Sequence, residues 1–108
     1  MNIQDLLSLT VKNNASDLHL LVGTVPTLRI DGVLSPLTSY APLSSEDIES
    51  MIFSLINPEQ KDLLLANKEL DFSFGYGQGA YGDAGRFRIN AYYQRGYLSS
   101  AFRFLPPN

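Results

Sequence analysis

Four of the five arginines in this chain lie in its last quarter, a segment without any acidic residue. Residues 1–83 carry four basic and eleven acidic side chains, so a chain with a net charge of −3 contains one locally cationic segment. The guanidinium group of arginine holds several N–H donors in a rigid plane that matches the oxygens of carboxylate and phosphate. The segment therefore predicts a surface that recognises an anion.

The spacing of these arginines indicates where they point. Around Arg86 and Arg88, polar residues alternate with the apolar residues Phe87 and Ile89. Since successive side chains of a β-strand project to opposite faces, both arginines would lie on the polar face of a strand. Arg29 and Arg103 also fall on the polar sides of alternating segments, so they are further candidates for the same kind of face.

Two interpretations of the arginines remain open from the residues alone. If the strands beginning at Glu69 and Arg86 pair as a hairpin, Glu69 and Asp71 share a face with Arg86 and Arg88. Cross-strand ion pairs, each worth about 0.2–1 kcal/mol, would then account for the arginines without a ligand. The strand segments hold fewer acids than arginines, which argues against complete pairing, and the residues alone do not decide between a salt-bridged face and an anion site.

Few other residues could carry chemistry. The chain has one histidine, His19, and no cysteine, so a metal site or a nucleophile–histidine triad would have to use carboxylates and hydroxyls. Asp17 and His19 share a strand face, where we expect a structural or interface role, with His19 as a hydrogen-bonded structural histidine. Residues 77–82 match G-x-G-x-x-G but precede a strand instead of a helix, which predicts a hairpin loop and not a dinucleotide site. We expect no catalytic residue and no metal in this domain.

The elements that must position these residues can be read from hydrophobic periodicity and capping signals. Ser44 with Asp47 resembles a capping box, and Asn57 before Pro58 marks a second helix start. Asp31–Gly32 and Gly96 are signals for turns between strands. We predict a helix from Ile3, strands near residues 17–22, 27–31 and 33–34, helices from Ser44 and Asn57, and strands from Glu69, Arg86 and Leu98. This order predicts an α+β fold, a largely antiparallel sheet of about six strands with helices packed on it.

Composition excludes several classes of protein. At 108 residues, with 44% hydrophobic and 18% charged side chains, the chain fits one globular domain. Its apolar runs are far shorter than the roughly 20 residues that span a bilayer, so we expect a soluble, cytoplasmic protein without membrane insertion. Tyr92, Tyr93 and Tyr97 could stack on bases, but the acidic total and the absence of lysine after Lys68 argue against nucleic-acid binding.

Five segments, in order over almost the whole chain, resemble the N-terminal domain of the PilT-type type IV pilus retraction (twitching motility) ATPases. They are residues 15–20, 26–32, 69–74, 86–91 and 102–106. Two features depart from that family's pattern: Val25 stands where the family often has a second proline, and the Gly-rich loop that begins at Gly75 is long.

The resemblance implies a PAS-like domain over residues 1–105, with residues 106–108 starting a linker to a RecA-like ATPase domain. It implies a homo-hexamer at the inner-membrane pilus machine. By position, Arg86, Arg88 and Arg103, with Arg29 as a second choice, are the residues expected to reach nucleotide held by the ATPase domain. ATP and Mg²⁺ are expected only with that second domain, so we expect this chain alone to be non-catalytic.

A different class of function is a PAS-like small-ligand sensor or a protein-interaction module. A sensor would need an internal apolar pocket, for which the candidate lining residues are Phe72, Phe74, Phe87 and Phe102.

Overall fold

The structure, a computed structural model, describes residues 2–77 and 84–107. The sequence prediction that residues 77–82 form a hairpin loop falls almost entirely outside these ranges. In chain order the elements are α1 (Ile3–Lys12), β1 (Asp17–Leu20), β2 (Thr27–Ile30), β3 (Val33–Pro36), α2 (Ser45–Phe53), α3 (Pro58–Asn67), β4 (Glu69–Tyr76), β5 (Gly85–Gln94) and β6 (Tyr97–Leu105).

The strands form one six-stranded sheet in the order β3-β2-β1-β6-β5-β4, and every neighbouring pair is antiparallel. The pairing of β1 with β6 joins two three-stranded halves that are distant in the chain. The predicted α+β class, the six strands and the three helices are confirmed.

Local signals set the starts of the second and third helices. Ser44 and Asp47 form a reciprocal capping box at α2, and Asn57 and Gln60 do the same at α3, where Pro58 is the first helical residue. The backbone N–H of Ser44, followed by its hydroxyl, holds the pKa of Asp47 below its ordinary value. The helix starts predicted from these residues are therefore confirmed.

Two tight turns join neighbouring strands. Asp31 and Gly32 (φ 51° and 79°) connect β2 to β3, and Arg95 and Gly96 (φ 55° and 83°) connect β5 to β6. Positive φ at both central residues is the geometry of two-residue hairpin turns, in which the backbone twist matches that of the strands. The turns predicted at Asp31–Gly32 and Gly96 are confirmed.

The core lies between the helices and one face of the sheet. The ring of Phe87 is fully buried and packs against those of Tyr76, Phe102 and Phe104, with centroids 5.8, 6.3 and 5.1 Å away. Aromatic rings at these centroid separations pack edge to face or tilted against each other, so the rings themselves occupy this part of the core. Two of the residues considered for a sensor pocket, Phe87 and Phe102, thus pack against each other.

One polar contact ties the sheet to α2. The Tyr93 hydroxyl of β5 donates a hydrogen bond of 2.9 Å to Glu49 Oε2. Burial, followed by this hydrogen bond, raises the pKa of Tyr93 to about 12. Tyr92 precedes it on the same strand and therefore points to the other face, so these two tyrosines do not form a common stacking surface.

Across residues 2–77 and 84–107, no helix has the length and apolar character needed to cross a membrane.

Candidate functional site

The face of the sheet opposite the core carries a row of five side chains from five adjacent strands. Strand register places Arg29 beside Asp17, Asp17 beside Arg103, Arg103 beside Arg88, and Arg88 beside Ser73. We call these five residues the arginine row. Neighbouring strands lie about 4.8 Å apart, so adjacent side chains in the row are within mutual reach.

Arg103 is the one arginine of the row that forms a salt bridge within the described part of the chain. Its Nε lies 3.5 Å from Asp17 Oδ1. The Arg103 side chain is 70% exposed, whereas that of Asp17 is 15% exposed. The other carboxylate oxygen, Asp17 Oδ2, accepts a hydrogen bond of 2.6 Å from Ser16 Oγ. The carboxylate is therefore held in place, while the guanidinium extends into solvent.

Arg88 lies directly opposite Arg103 on the neighbouring strand. Among residues 2–77 and 84–107, neither Arg88 nor Arg86 has a carboxylate oxygen within 4.0 Å. Like charges at directly opposed positions of a sheet repel each other. Arg88 and Arg103 therefore form a local concentration of positive charge. Of the two, only Arg103 has a carboxylate of a described residue, that of Asp17, within 4.0 Å.

The cross-strand ion pairs considered from the sequence do not form. In the observed register Asp71 lies opposite Asn90 and Glu69 lies opposite Tyr92. Asp71 Oδ1 accepts a hydrogen bond of 2.8 Å from Asn90 Nδ2. In this register both acids lie opposite residues of β5 that come after Arg86 and Arg88. Asp71 therefore pairs with the amide of Asn90 and not with a guanidinium group.

An open cavity of about 240 Å³ lies over the middle of this face. Its side-chain lining includes both opposed arginines together with Asp17, Asp71 and Asn90. The cavity thus offers guanidinium and amide donors beside two carboxylates. Such a surface can bind an anion when the anion outcompetes the carboxylates for the guanidinium groups.

The other two predicted arginines lie on the same face at different distances from this pair. Arg86 lies between Leu105 and Gly75 in register, two residues from Arg88 on the same strand face, and is exposed. Arg29 Nη1 donates a hydrogen bond of 3.0 Å to the carbonyl oxygen of Gly32, within its own hairpin. The structure therefore groups Arg86, Arg88 and Arg103, and separates Arg29 from them by Asp17.

His19 lies two residues from Asp17 on the same strand face. Its Nε2 is buried and has no hydrogen-bond partner among the described residues, so the structural hydrogen bond expected from the sequence is absent at that atom. The ring lines a second, more apolar groove of about 270 Å³ together with Leu21, Thr24, Thr27, Arg29 and Leu34. Asp17 is engaged with Arg103 and Ser16, so the two predicted structural residues have separate surroundings.

Three polar residues of the site were not singled out for it by sequence reasoning: Ser16, Asn90 and Ser73. The position of Ser16 beside Asp17 was a local signal that it could orient the carboxylate. The roles of Asn90 and Ser73 depend on strand register, for which the sequence holds no comparable signal. Within the described ranges, no three His, Asp or Glu side chains are grouped so as to hold a metal ion.

The fold and the site together define a small α+β domain with an exposed, arginine-bearing sheet face. Sequence comparison gives this class a family context. The chain is 33% identical over 106 residues to the type IV pilus retraction ATPase PilT of Pseudomonas aeruginosa, which covers 98% of this chain and 29% of that protein. It is 32% identical over 108 residues to the type IV pilus ATPase PilU of the same organism, covering 27% of that protein. No family model matches the chain.

Structural comparison agrees with the sequence. A crystal structure of the pilus retraction motor PilT with bound ADP superposes on the whole chain with a TM-score of 0.85 and 35% identity, covering 30% of that structure's chain. The Legionella pneumophila ATPase DotB shares the fold, with a TM-score of 0.77 and 23% identity. The chain is thus homologous to the N-terminal domain of the PilT-type pilus retraction ATPases. It spans less than a third of these relatives' length.

Proposed function

We propose that this chain is the non-catalytic N-terminal domain of a type IV pilus retraction motor ATPase, and that its sheet arginines contact nucleotide phosphates held by a RecA-like ATPase domain. Arg86, Arg88 and Arg103 are the principal contacts and Arg29 is secondary. Residues 1–105 form the domain in this proposal, and residues 106–108 begin the linker.

The observation that carries the proposal is the opposition of Arg88 and Arg103 on an exposed sheet face. Opposed like charges cost folding stability, and an anion that bridges them removes that cost. A phosphate offers several acceptor oxygens to two guanidinium groups at once, which suits such a pair.

The face is open, and a nucleotide would have solvent on one side of it. It therefore supports half of a composite site, with the ATP and its Mg²⁺ held by the RecA-like domain of the same or a neighbouring subunit in a homo-hexamer. Charge-assisted contacts from such a face stabilise the charge that develops during phosphoryl transfer. Hydrolysis would then act on the pilus machinery, with the motor peripheral to the inner membrane.

The test places this chain in a working motor. A chimera of Pseudomonas aeruginosa PilT, with its N-terminal domain replaced by this chain, is assayed for ATP turnover and twitching. We expect Arg88→Ala and Arg103→Ala to lower turnover by about tenfold or more, because the loss of one charge-assisted hydrogen bond is worth roughly 1.5–3 kcal/mol. Arg86→Ala is expected to act in the same direction.

Arg95→Asn is the matched control. It also removes one arginine, but Arg95 lies in the β5–β6 turn with φ 55°, a conformation that asparagine tolerates. Circular dichroism of the isolated domain checks that each variant folds. Unchanged turnover in the Arg86, Arg88 and Arg103 variants, with the control also unchanged, would refute the nucleotide role.

A further inference from the structure

Asp17 is the acidic residue of the arginine row. It lies between Arg29 and Arg103 in register and makes the salt bridge to Arg103. Its side chain is 15% exposed, and Ser16 donates a hydrogen bond to its second carboxylate oxygen. The described residues thus provide a fixed negative charge beside the pair of arginines that we propose to bind phosphate.

We propose that Asp17 is an internal competitor of the ligand, a carboxylate that Arg103 must leave before an anion can bind between Arg88 and Arg103. The inference rests on the proposed function and adds a residue that sets the affinity and selectivity of the same site. The ligand class that it selects is that of di- and triphosphates.

The geometry identifies which partner moves. Asp17 is 15% exposed and tied to its neighbour, whereas the Arg103 side chain is 70% exposed and can reorient. An ion pair with one exposed member is weak, because solvent competes for it. Arg103 can therefore exchange Asp17 for a ligand oxygen while the carboxylate stays in place.

Selectivity follows from the same competition. A singly charged anion such as acetate gains no more from Arg103 than Asp17 already provides. A polyphosphate carries several negative charges and can accept from Arg88 and Arg103 together. Competition from Asp17 thus lowers the affinity of the site for singly charged anions more than its affinity for polyphosphates.

The experiment is an NMR titration of this chain with inorganic tripolyphosphate at low salt, following backbone amides and the arginine Nε–Hε signals. Asp17→Asn is compared with Asp71→Asn, which removes the same charge from the same cavity without breaking the salt bridge to Arg103. Asparagine keeps an oxygen that can accept from Ser16. We expect Asp17→Asn to tighten binding by roughly two- to fivefold beyond the effect of Asp71→Asn, as the loss of an exposed ion pair allows.

Two further readouts complete the test. In the wild-type chain the Arg103 Nε–Hε signal should shift on titration as Arg103 exchanges Asp17 for the ligand, and in free Asp17→Asn it should already lack the contribution of the salt bridge. Acetate should bind measurably better to Asp17→Asn than to wild type. Equal effects of the two substitutions, or weaker binding by Asp17→Asn, would overturn the role of Asp17.

Arg88→Ala separates this inference from the proposed function. If Arg88→Ala weakens tripolyphosphate binding while Asp17→Asn behaves like Asp71→Asn, the competitor role alone fails. If Arg88→Ala and Arg103→Ala bind tripolyphosphate as the wild type does, or if no variant binds it, the anion site itself fails and the competitor role with it.

Discussion

At the scale of single residues, the arginine row contains a pair of like charges that repel each other in the folded domain. Arg88 and Arg103 oppose each other, and Asp17 relieves only Arg103. A sheet face that served stability alone would place an acid or a hydroxyl at one of these positions. Such a repulsion between arginines is what we expect of a site that binds an anion as its ligand.

Arg88→Thr should therefore stabilise the isolated domain. It removes the repulsion from Arg103 and introduces a residue that favours strands, so we expect the free energy of unfolding to rise by about 0.2–1 kcal/mol. Urea denaturation at low ionic strength measures the change. The gain should shrink at about 1 M salt, where charges a few ångströms apart are screened.

Arg86→Thr is the control, because Arg86 has Leu105 and Gly75 as its register neighbours instead of another arginine. We expect a smaller, less salt-dependent change from it. An equal gain in the two variants would show that strand propensity, and not repulsion from Arg103, accounts for the effect.

At the scale of elements, β5 positions two of the arginines, and the start of that strand is fixed by one glycine. Gly85 has φ +125°, and a Cβ there would lie 2.7 Å from Phe104 Cζ and 2.8 Å from the carbonyl oxygen of Leu105. Such contacts are closer than side chains tolerate, and the backbone angle disfavours any residue other than glycine. The absence of a side chain at Gly85 lets β5 and β6 pair closely beside Arg86.

Gly85→Ala should destabilise the domain by at least about 3 kcal/mol, since strain at an unfavourable φ adds to overpacking against Phe104. Thermal or urea denaturation measures the loss. Gly32→Ala is the matched control, because Gly32 also has a positive φ (79°) but open space around the added Cβ. A loss in Gly85→Ala no larger than that in Gly32→Ala would contradict the steric explanation.

At the scale of the whole molecule, the sheet is assembled from two halves, β3-β2-β1 and β6-β5-β4. The pairing of β1 with β6 brings Asp17 beside Arg103 on the outer face and Leu18 beside Phe102 on the inner face. The core contact and the candidate site thus form in the same step, because adjacent residues of one strand point to opposite faces.

Phe102→Ala should destabilise the whole domain, because the fully buried ring packs at the junction of the two halves. We expect a loss of about 3–5 kcal/mol, still in a single unfolding transition with an unchanged denaturant dependence. Phe104→Ala is the comparison, since Phe104 is only partly buried and has no register partner in β1. Separate transitions for the two halves would contradict this cooperative assembly.

How much of the site could be predicted from the sequence depends on how far apart in the chain the interacting residues lie. Capping at Ser44 and Asn57 and the turn at Gly96 were predictable because they depend on residues a few positions apart. The pairing of Asp71 with Asn90 was not, because several strand registers place the same residues on the same face. Likewise, nothing near His19 in sequence indicates that its Nε2 is buried without a hydrogen-bond partner in the described part of the chain.

The sequence by itself determined the order of the elements, the face of each strand on which the arginines lie, and the positive charge of the last quarter. These follow from periodicity and composition, which are properties of neighbouring residues. Only the tertiary structure decided that Arg103 meets Asp17 on one side and Arg88 on the other. That arrangement depends on pairing between strands far apart in the chain, which a two-residue periodicity cannot specify.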